Sequence, residues 1–223
     1  DASKIPASRK VVFPGGTRVV PFGTKPSTVV PGAPYYRDGK WWSDKVPDDE
    51  RYYVADLRVD LAEASTTAVK AEAFVGGVKV LEQPVVQGSL IPVKLGGFDE
   101  LRGALNFCTF RVTLGNGEQI DRTLWFSKVD LQWVLEKDPE DKRYYVADVS
   151  RDLIDSNTTI TAVSAIPVGV TELVKPQMQG RLAVVKLGGL DTSADPLNYC
   201  KLRFDCANGE RFFRTIHFKR VDN

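Results

Sequence analysis

The three cysteines are the first candidates for chemistry in this sequence. Cys200 and Cys206 fall on the same face of one predicted strand, about 20 Å apart at the rise of an extended chain, whereas a disulfide holds its Cα atoms within about 7 Å. Cys108 precedes Cys200 by 92 residues and belongs to a separate predicted core. The Cys-x-x-Cys and Cys/His spacings of zinc sites do not occur in the sequence. We therefore expect three free, buried cysteines, with no metal and no cofactor.

His217 is the only histidine, and the alternation of its strand places it on the polar face, opposite Ile216 and Phe218. General base catalysis would need a hydrogen-bonding partner and a pocket. The position 92 residues earlier is Trp125, so any histidine chemistry would belong to one half of the chain. An exposed strand residue is the favoured interpretation, and we expect no catalytic residues and no enzymatic activity.

Two arginines, Arg122 and Arg214, share the inward parity of their strands with apolar residues. An inward arginine needs a carboxylate partner or a route to solvent. Two repeated pairs of carboxylates could serve as partners: Asp56 with Asp148, and Asp60 with Asp152. We expect structural ion pairs rather than an anion-binding site, because a tandem module seldom duplicates a catalytic site.

Acidic runs and tyrosine pairs admit two further ligand-binding interpretations. The runs at 48–50 and 140–141 could hold calcium, but the EF-hand loop pattern does not occur, so solvated turns are favoured. The tyrosine pairs at 52–53 and 144–145 could stack on single-stranded nucleic acid. Since the net charge of the chain is only +1, we expect no nucleic acid partner. No apolar run approaches the length of about 20 residues that crosses a bilayer, and we expect no membrane partner.

An internal duplication organises the candidates above. Residues 51–130 align on 143–222 without a gap, with 36 identities in 80 positions. The shared blocks are Arg-Tyr-Tyr-Val-Ala-Asp, Val-Lys-Leu-Gly-Gly, Leu-Asn-Phe/Tyr-Cys and Asn-Gly-Glu, and a leader Lys-x-Pro-Asp/Glu-Asp precedes each copy. We therefore divide the chain into an arm at 1–40 and two repeats at 41–132 and 133–223.

Each repeat reads as β-strands. Cys108, Phe110, Val112 and Leu114 are apolar at every second position, which is the period of a half-buried strand. An Asn-Gly pair follows in both copies and predicts a tight hairpin, because it supplies positive φ angles. Further strands are predicted at 52–57, 67–75, 78–82 and 89–95, with counterparts 92 residues later. The pattern predicts an all-β chain of two tandem immunoglobulin-like sandwiches with minimal helix.

The arm differs in composition from the repeats. It holds six of the chain's 13 prolines, and residues 1–45 carry eight basic and three acidic residues. Such a segment buries too little apolar surface to fold alone, so we expect an extended arm that orders only against a partner. At its end the pair Asp38-Gly39 lies between two aromatic pairs and predicts a small hairpin or clasp. The residues expected to dock are Arg9, Lys10, Val11, Val12, Phe13, Arg18, Val19, Val20, Phe22, Lys25, Tyr35, Tyr36, Trp41 and Trp42.

Residues 41–223, through the leader and the shared blocks, resemble small immunoglobulin-like modules in virion proteins of tailed bacteriophages. The resemblance implies a structural part of the particle, such as a capsid decoration protein, a head fibre or a neck and tail accessory, with capsid, portal or tail proteins as partners. Self-association and host-surface glycans or proteins are left open as partners. The alternative is an exported bacterial surface adhesin or a carbohydrate-binding module, located outside the cell or at its surface. The sequence begins with Asp rather than Met, so a processed N-terminus is also left open.

Overall fold

A computed structural model describes residues 10–12, 18–22, 33–130, 132–193 and 197–221. The chain forms two compact units. The first unit is Gly15–Asp130, and the second combines Asp1–Pro14 with Leu131–Asn223. Within the described ranges, no helix is long and apolar enough to span a membrane.

The elements follow the predicted strand pattern. Up to residue 130 they are β1 (Lys10–Val12), β2 (Val19–Pro21), β3 (Tyr35–Arg37), β4 (Lys40–Lys45), β5 (Arg51–Asp56), α1 (Arg58–Glu63), β6 (Ala68–Gly76), β7 (Lys79–Glu82), β8 (Leu90–Gly96), a 3₁₀ segment (Glu100–Leu105), β9 (Asn106–Leu114) and β10 (Gln119–Lys128). Beyond it they are β11 (Gln132–Lys137), β12 (Arg143–Asp148), α2 (Ser150–Ser156), β13 (Ile160–Val168), β14 (Thr171–Gln179), β15 (Leu182–Gly188), β16 (Tyr199–Cys206) and β17 (Arg211–Arg220).

In the described ranges, each unit contains two sheets. In the first unit their strand orders are β3-β4-β10-β9-β6 and β2-β5-β8-β7, and in the second β11-β17-β16-β13 and β1-β12-β15-β14. The pairing of β5 with β8 matches that of β12 with β15, because Tyr53 opposes Val93 and Tyr145 opposes Val185. Apart from β3, the two repeats therefore share one strand order, and the prediction of a nearly all-β chain is confirmed.

The strands form because their apolar residues alternate and can be buried on one side. Burial along β9 alternates from its first residue to its last, and Cys108, Phe110 and Leu114 are almost fully buried. The two cores pack alike. Tyr53 contacts Phe126 edge-on at 5.1 Å between ring centroids in the first unit, and the rings 92 residues later repeat this contact at 5.0 Å.

The β9–β10 and β16–β17 hairpins form where the Asn-Gly pairs predict them. The turn is looser than a two-residue one, because four residues separate β9 from β10. Gly117 and Gly209 have φ of +88° and +82°, whereas the preceding asparagines do not have positive φ. Glycine alone therefore supplies the left-handed residue, as in the longer hairpin loops that follow a type I turn.

Two short helices interrupt the predicted strand pattern. Both α1 and α2 follow directly on the Tyr-Tyr-Val-Ala-Asp strand of their repeat. Six and seven residues make fewer than two turns, so no helical period is visible in the sequence. Each connects a strand of one sheet to a strand of the other and adds no helical layer.

Candidate interaction surfaces

The inward arginines of the two repeats pair with the carboxylates of the short helices. Arg122 Nε donates to Asp60 Oδ2 at 3.3 Å, and its Nη2 donates to the other carboxylate oxygen. Arg214 Nε donates to Asp152 Oδ2 at 3.2 Å, again with a second bond from Nη2. Both side chains of the second pair are only 3% exposed. Each pair joins the last strand of its repeat to the helix and holds that connection in place.

The expectation that Asp56 and Asp148 could pair with the inward arginines is corrected, because these carboxylates bond at the starts of the helices. Asp56 Oδ1 accepts a hydrogen bond from the Arg58 N–H at 3.1 Å, and Asp148 Oδ1 accepts one from the Ser150 N–H at 3.0 Å. These N–H groups lie at the helix starts, where no carbonyl of the helix can accept them. The side-chain hydrogen bonds from Arg58 hold the pKa of Asp56 below its usual range. The two carboxylates therefore organise the helix entrances.

The leader lysines have a structural role that the sequence did not reveal. Lys45 and Lys137 are each only 1% exposed. Lys45 Nζ donates to the Asp49 carbonyl at 2.6 Å, and Lys137 Nζ donates to the Asp141 carbonyl at 2.5 Å. Burial lowers the pKa of Lys45 to about 8 and also lowers that of Lys137. Each ammonium holds the turn of the Lys-x-Pro-Asp/Glu-Asp leader, and its recurrence was the only signal of this role.

A repeated asparagine, at the start of β9 and directly before β16, fixes the loop that leads into its strand. Asn106 accepts from the Asp99 N–H and donates to the Asp99 carbonyl, both at 2.9 Å. Asn198 makes the same two contacts with Asp191 at 3.1 and 3.0 Å. Gly77 lies against the Asn106 side chain, and a Cβ on Gly77 would lie 2.1 Å from the amide oxygen of Asn106. The same close approach recurs in the second unit, so this polar group also maintains the fold.

The cysteines lie in the cores where alternation placed them, whereas His217 lies on the polar face but is less exposed than expected. Cys108, Cys200 and Cys206 are buried thiols outside any disulfide, which confirms the prediction, and burial raises the pKa of Cys108 and Cys200 to about 12. His217 is partly buried against the ring of Tyr199 at 5.6 Å, and desolvation lowers its pKa. In the part of the chain that the structure describes, no three His, Cys, Asp or Glu side chains are grouped to hold a metal ion.

The outer face of the five-stranded sheet carries a cluster of aromatic rings and cations. Trp125 lies 5.2 Å from Phe107 and 6.1 Å from Trp42 between ring centroids. Arg37 lies over the Trp42 ring at 4.8 Å, and Lys40 lies over Trp125 at 4.3 Å. We call these five residues the cation–aromatic face. Cation–π contacts of this kind are worth about 0.5–2 kcal/mol each, so the rings are covered by positive charge.

The second unit does not repeat this face. The positions of Phe107, Trp125 and Trp42 are occupied there by Tyr199, His217 and Val134. Val134 is 65% exposed. The corresponding sheet has four strands, and among the residues described no strand of the second unit takes the place of β3. The cation–aromatic face is therefore a property of one unit, unlike the shared polar contacts.

The hairpin of β3 and β4 supplies three residues of this face, and of these Trp42 was among the predicted docking residues. Its turn is Asp38-Gly39, with φ of 52° and 76°, as the Asp-Gly pair predicted. Tyr35 opposes Trp42, and Tyr36 opposes Trp41. Alternation turns Tyr36 and Trp41 toward the first core, where their rings lie 5.5 Å apart. Of the four aromatic residues of this hairpin, Tyr35 and Trp42 thus remain on the outer side.

Two described segments of the arm pair with the chain's own sheets. β2 runs parallel to β5, and β1 runs parallel to β12. Phe22 is 3% exposed and packs edge-on against Trp41 at 6.4 Å and Phe110 at 6.3 Å. Arg18 Nη1 donates to the Tyr52 carbonyl at 2.9 Å.

These contacts correct the expectation that this part of the arm waits for a separate partner, because Phe22 already fills the first core. The strand backbones of Lys10, Val11, Val12, Val19 and Val20 lie on the sheets of the chain itself. Arg9, Phe13 and Lys25 lie outside the described residues.

Comparison with known proteins places the chain in no family. No family model matches it, and no curated protein matches it. An endo-fucoidan hydrolase from glycoside hydrolase family 107 is 10% identical, over 89% of this chain and 31% of that one, with a TM-score of 0.26. Extracellular cadherin domains 1–4 of protocadherin gamma B7 are 14% identical, over 82% and 49%, with a TM-score of 0.28.

A third similar structure is the Bacteroides ovatus mixed-linkage glucan utilization locus SGBP-B in complex with a mixed-linkage heptasaccharide. It is 8% identical over 81% of this chain and 43% of that one, with a TM-score of 0.21. The chain spans less than half the length of each of these three structures.

Proposed function

We propose that this chain is a non-enzymatic structural and binding component of an assembled particle. The observation that carries the proposal is the use of the polar groups that both repeats share. The Arg–Asp pairs, the leader lysines and the loop asparagines all bond within their own unit and hold turns and connections. A duplicated catalytic site would instead leave shared polar groups directed at a common cleft.

We further propose that each unit is an immunoglobulin-like module. That fold packs a sheet of strands A, B, E and D on a sheet of C, F and G. In the first unit β5, β8 and β7 take the places of B, E and D, and β6, β9 and β10 take those of C, F and G. The place of strand A beside β5 is occupied by β2, which runs parallel to it.

The particle that we propose is the virion of a tailed bacteriophage, with the chain as a decoration, fibre or adaptor protein. The support is the resemblance of the leader and of the shared blocks to modules of such virion proteins. The cation–aromatic face is the proposed contact surface, because Arg37 and Lys40 are both exposed. Their charge suits an acidic surface on a neighbouring capsid, portal or tail protein.

The alternative role, carbohydrate binding by an exported surface protein, has less support from this face. Sugar stacking needs a bare aromatic ring, whereas Trp42 is 7% exposed and cations lie over both tryptophans. These cations would have to leave before a sugar could bind. The geometry therefore favours a protein surface as the ligand of this face.

Incorporation into particles tests the proposal. Lys40→Glu reverses one charge of the cation–aromatic face, while Lys175→Glu reverses an exposed charge on β14 as the matched control. We expect Lys40→Glu to lower the amount of chain in purified particles several-fold while Lys175→Glu leaves it unchanged. Equal incorporation of both variants would remove the face from the proposal. Binding of the wild-type chain to a glycan array, with no chain in particles, would favour the carbohydrate-binding role.

A further inference from the structure

The edges beside β5 and β12 are two copies of one strand-acceptor site. Val19, Val20 and Pro21 oppose Val54, Ala55 and Asp56. Lys10, Val11 and Val12 oppose Val146, Ala147 and Asp148. These acceptor residues are equivalent at the repeat offset of 92, and both arm strands run parallel to their acceptors. The two edges therefore select the same strand direction and the same register.

The shared register reveals a second, shorter repeat in the arm. Since Val54 and Val146 are equivalent, Val19 and Lys10 are equivalent too, at an offset of nine residues. At that offset the sequence reads Arg-x-Val-x-Phe twice, at 9–13 and at 18–22. The arm thus carries two strand donors in tandem, matched to two acceptors that lie 92 residues apart. A single chain holds as many donors as acceptors.

The donor of the first unit is anchored by one aromatic side chain. Phe22 directly follows β2 and is buried against Trp41 and Phe110. The strand itself is only three residues long, so few hydrogen bonds accompany this anchor. A short strand with one strong anchor can be released and rebound as a unit, which is the property of an exchangeable element.

We propose that these acceptor sites also bind the arm of a second copy of this chain, so that copies are linked by reciprocal exchange of their Arg-x-Val-x-Phe strands. An exchanged strand makes the same contacts as the chain's own strand, so the free-energy cost lies mainly in the connection. Every copy carries the same two donors and the same two acceptors, so a second copy of this chain presents an acceptor whose register fits the released strand. The inference goes beyond the proposed function, because it concerns contacts between copies of this chain alone.

Disulfide trapping of the full chain tests the exchange. Val19 and Val54 are direct partners across a parallel pair, at a separation of about 5 Å that a disulfide can bridge. One chain carries Val19→Cys with an isotope label, the other carries Val54→Cys without it, and the two are mixed under mild oxidation over a range of concentrations. The native cysteines are buried and stay out of the reaction. Val19→Cys mixed with Leu101→Cys, at a side chain that is 99% exposed, measures random encounters.

We expect a several-fold excess of mixed-label disulfide in the Val19→Cys and Val54→Cys mixture over the Leu101→Cys control, rising with protein concentration. The double variant Val19→Cys/Val54→Cys in one chain reports the pairing itself. If the double variant closes within one chain and the mixture gives no excess, the arms stay with their own chain and the exchange is refuted. If the double variant fails to close at any concentration, the acceptor site is refuted as well.

Discussion

Replacement of Phe22 by alanine should destabilise the first unit strongly. The side chain is 3% exposed and lies between the rings of Trp41 and Phe110. Truncation of a buried phenylalanine costs about 3–5 kcal/mol, because transfer free energy and cavity formation add. A unit of this size gains about 4 °C in melting temperature per kcal/mol. We therefore expect its transition to fall by roughly 12–20 °C, although Phe22 lies in a segment whose composition predicts no fold of its own.

The assay is thermal unfolding followed by tryptophan fluorescence. Trp41, Trp42 and Trp125 belong to the first unit and only Trp133 to the second, so the signal reports mainly on the unit that is changed. The exposed Leu101 provides the control, since Leu101→Ala should change stability by less than about 0.5 kcal/mol. If Phe22→Ala and Leu101→Ala have the same melting temperature, the arm does not contribute to the first core, and the placement of Phe22 is wrong.

Three further predictions concern the shared polar groups. Asp152→Ala should lower the free energy of unfolding by about 3–5 kcal/mol, because it removes one partner of a buried ion pair. Asp60→Ala should lower it less, since its arginine is 35% exposed, and urea unfolding of both variants measures the difference. Gly77→Ala should cost at least about 2 kcal/mol, because φ is +71° and the new Cβ would meet the loop asparagine. Gly117→Ala, with φ of +88° and open space, should cost only about 1 kcal/mol, and an equal cost would contradict the contact. The pKa of Lys45 is about 8 when folded and 10.5 as the ordinary value. The unfolded chain therefore binds more protons between those pH values, and the contribution of Lys45 to stability should rise with pH across that window. If the difference in free energy of unfolding between wild type and Lys45→Met does not change with pH, the pKa of Lys45 is not lowered.

The strands of the two repeats could be predicted because their signal is local and occurs twice. The alternation in 108–114 and the Asn-Gly pair after it specify a hairpin without knowledge of any other segment. Duplication then confirmed each strand with a second sequence. The buried cysteines followed from the same alternation, because their faces were already assigned.

The choice between Asp56 and Asp60 as the partner of Arg122 could not be made from sequence. Both carboxylates recur, and α1, which contains Asp60, is too short to show a period. The helix turns Asp60 toward Arg122 and leaves Asp56 at its entrance. The partner of Arg122 is thus decided by the change from strand to helix after Asp56.

The arm strands could not be predicted because their signal is not local. β1 and β2 have three residues each, too few for an alternation, and their partners lie far away in the chain. The repeat Arg-x-Val-x-Phe was present in the sequence, but its meaning depends on acceptor edges that only the folded units provide. The aromatic pairs around Asp38-Gly39 predicted a hairpin, yet only the sheet decides which rings turn outward.

The central proposal, that this chain is a structural part of a particle, is tested most directly by quantitative mass spectrometry of purified phage particles from cells that express it. We predict that the chain is present at a fixed copy number relative to the capsid and portal proteins. We also predict that chemical cross-links join Lys40 of the cation–aromatic face to one of those proteins. Absence of the chain from the particles, or an amount that varies freely between preparations, would contradict the proposal.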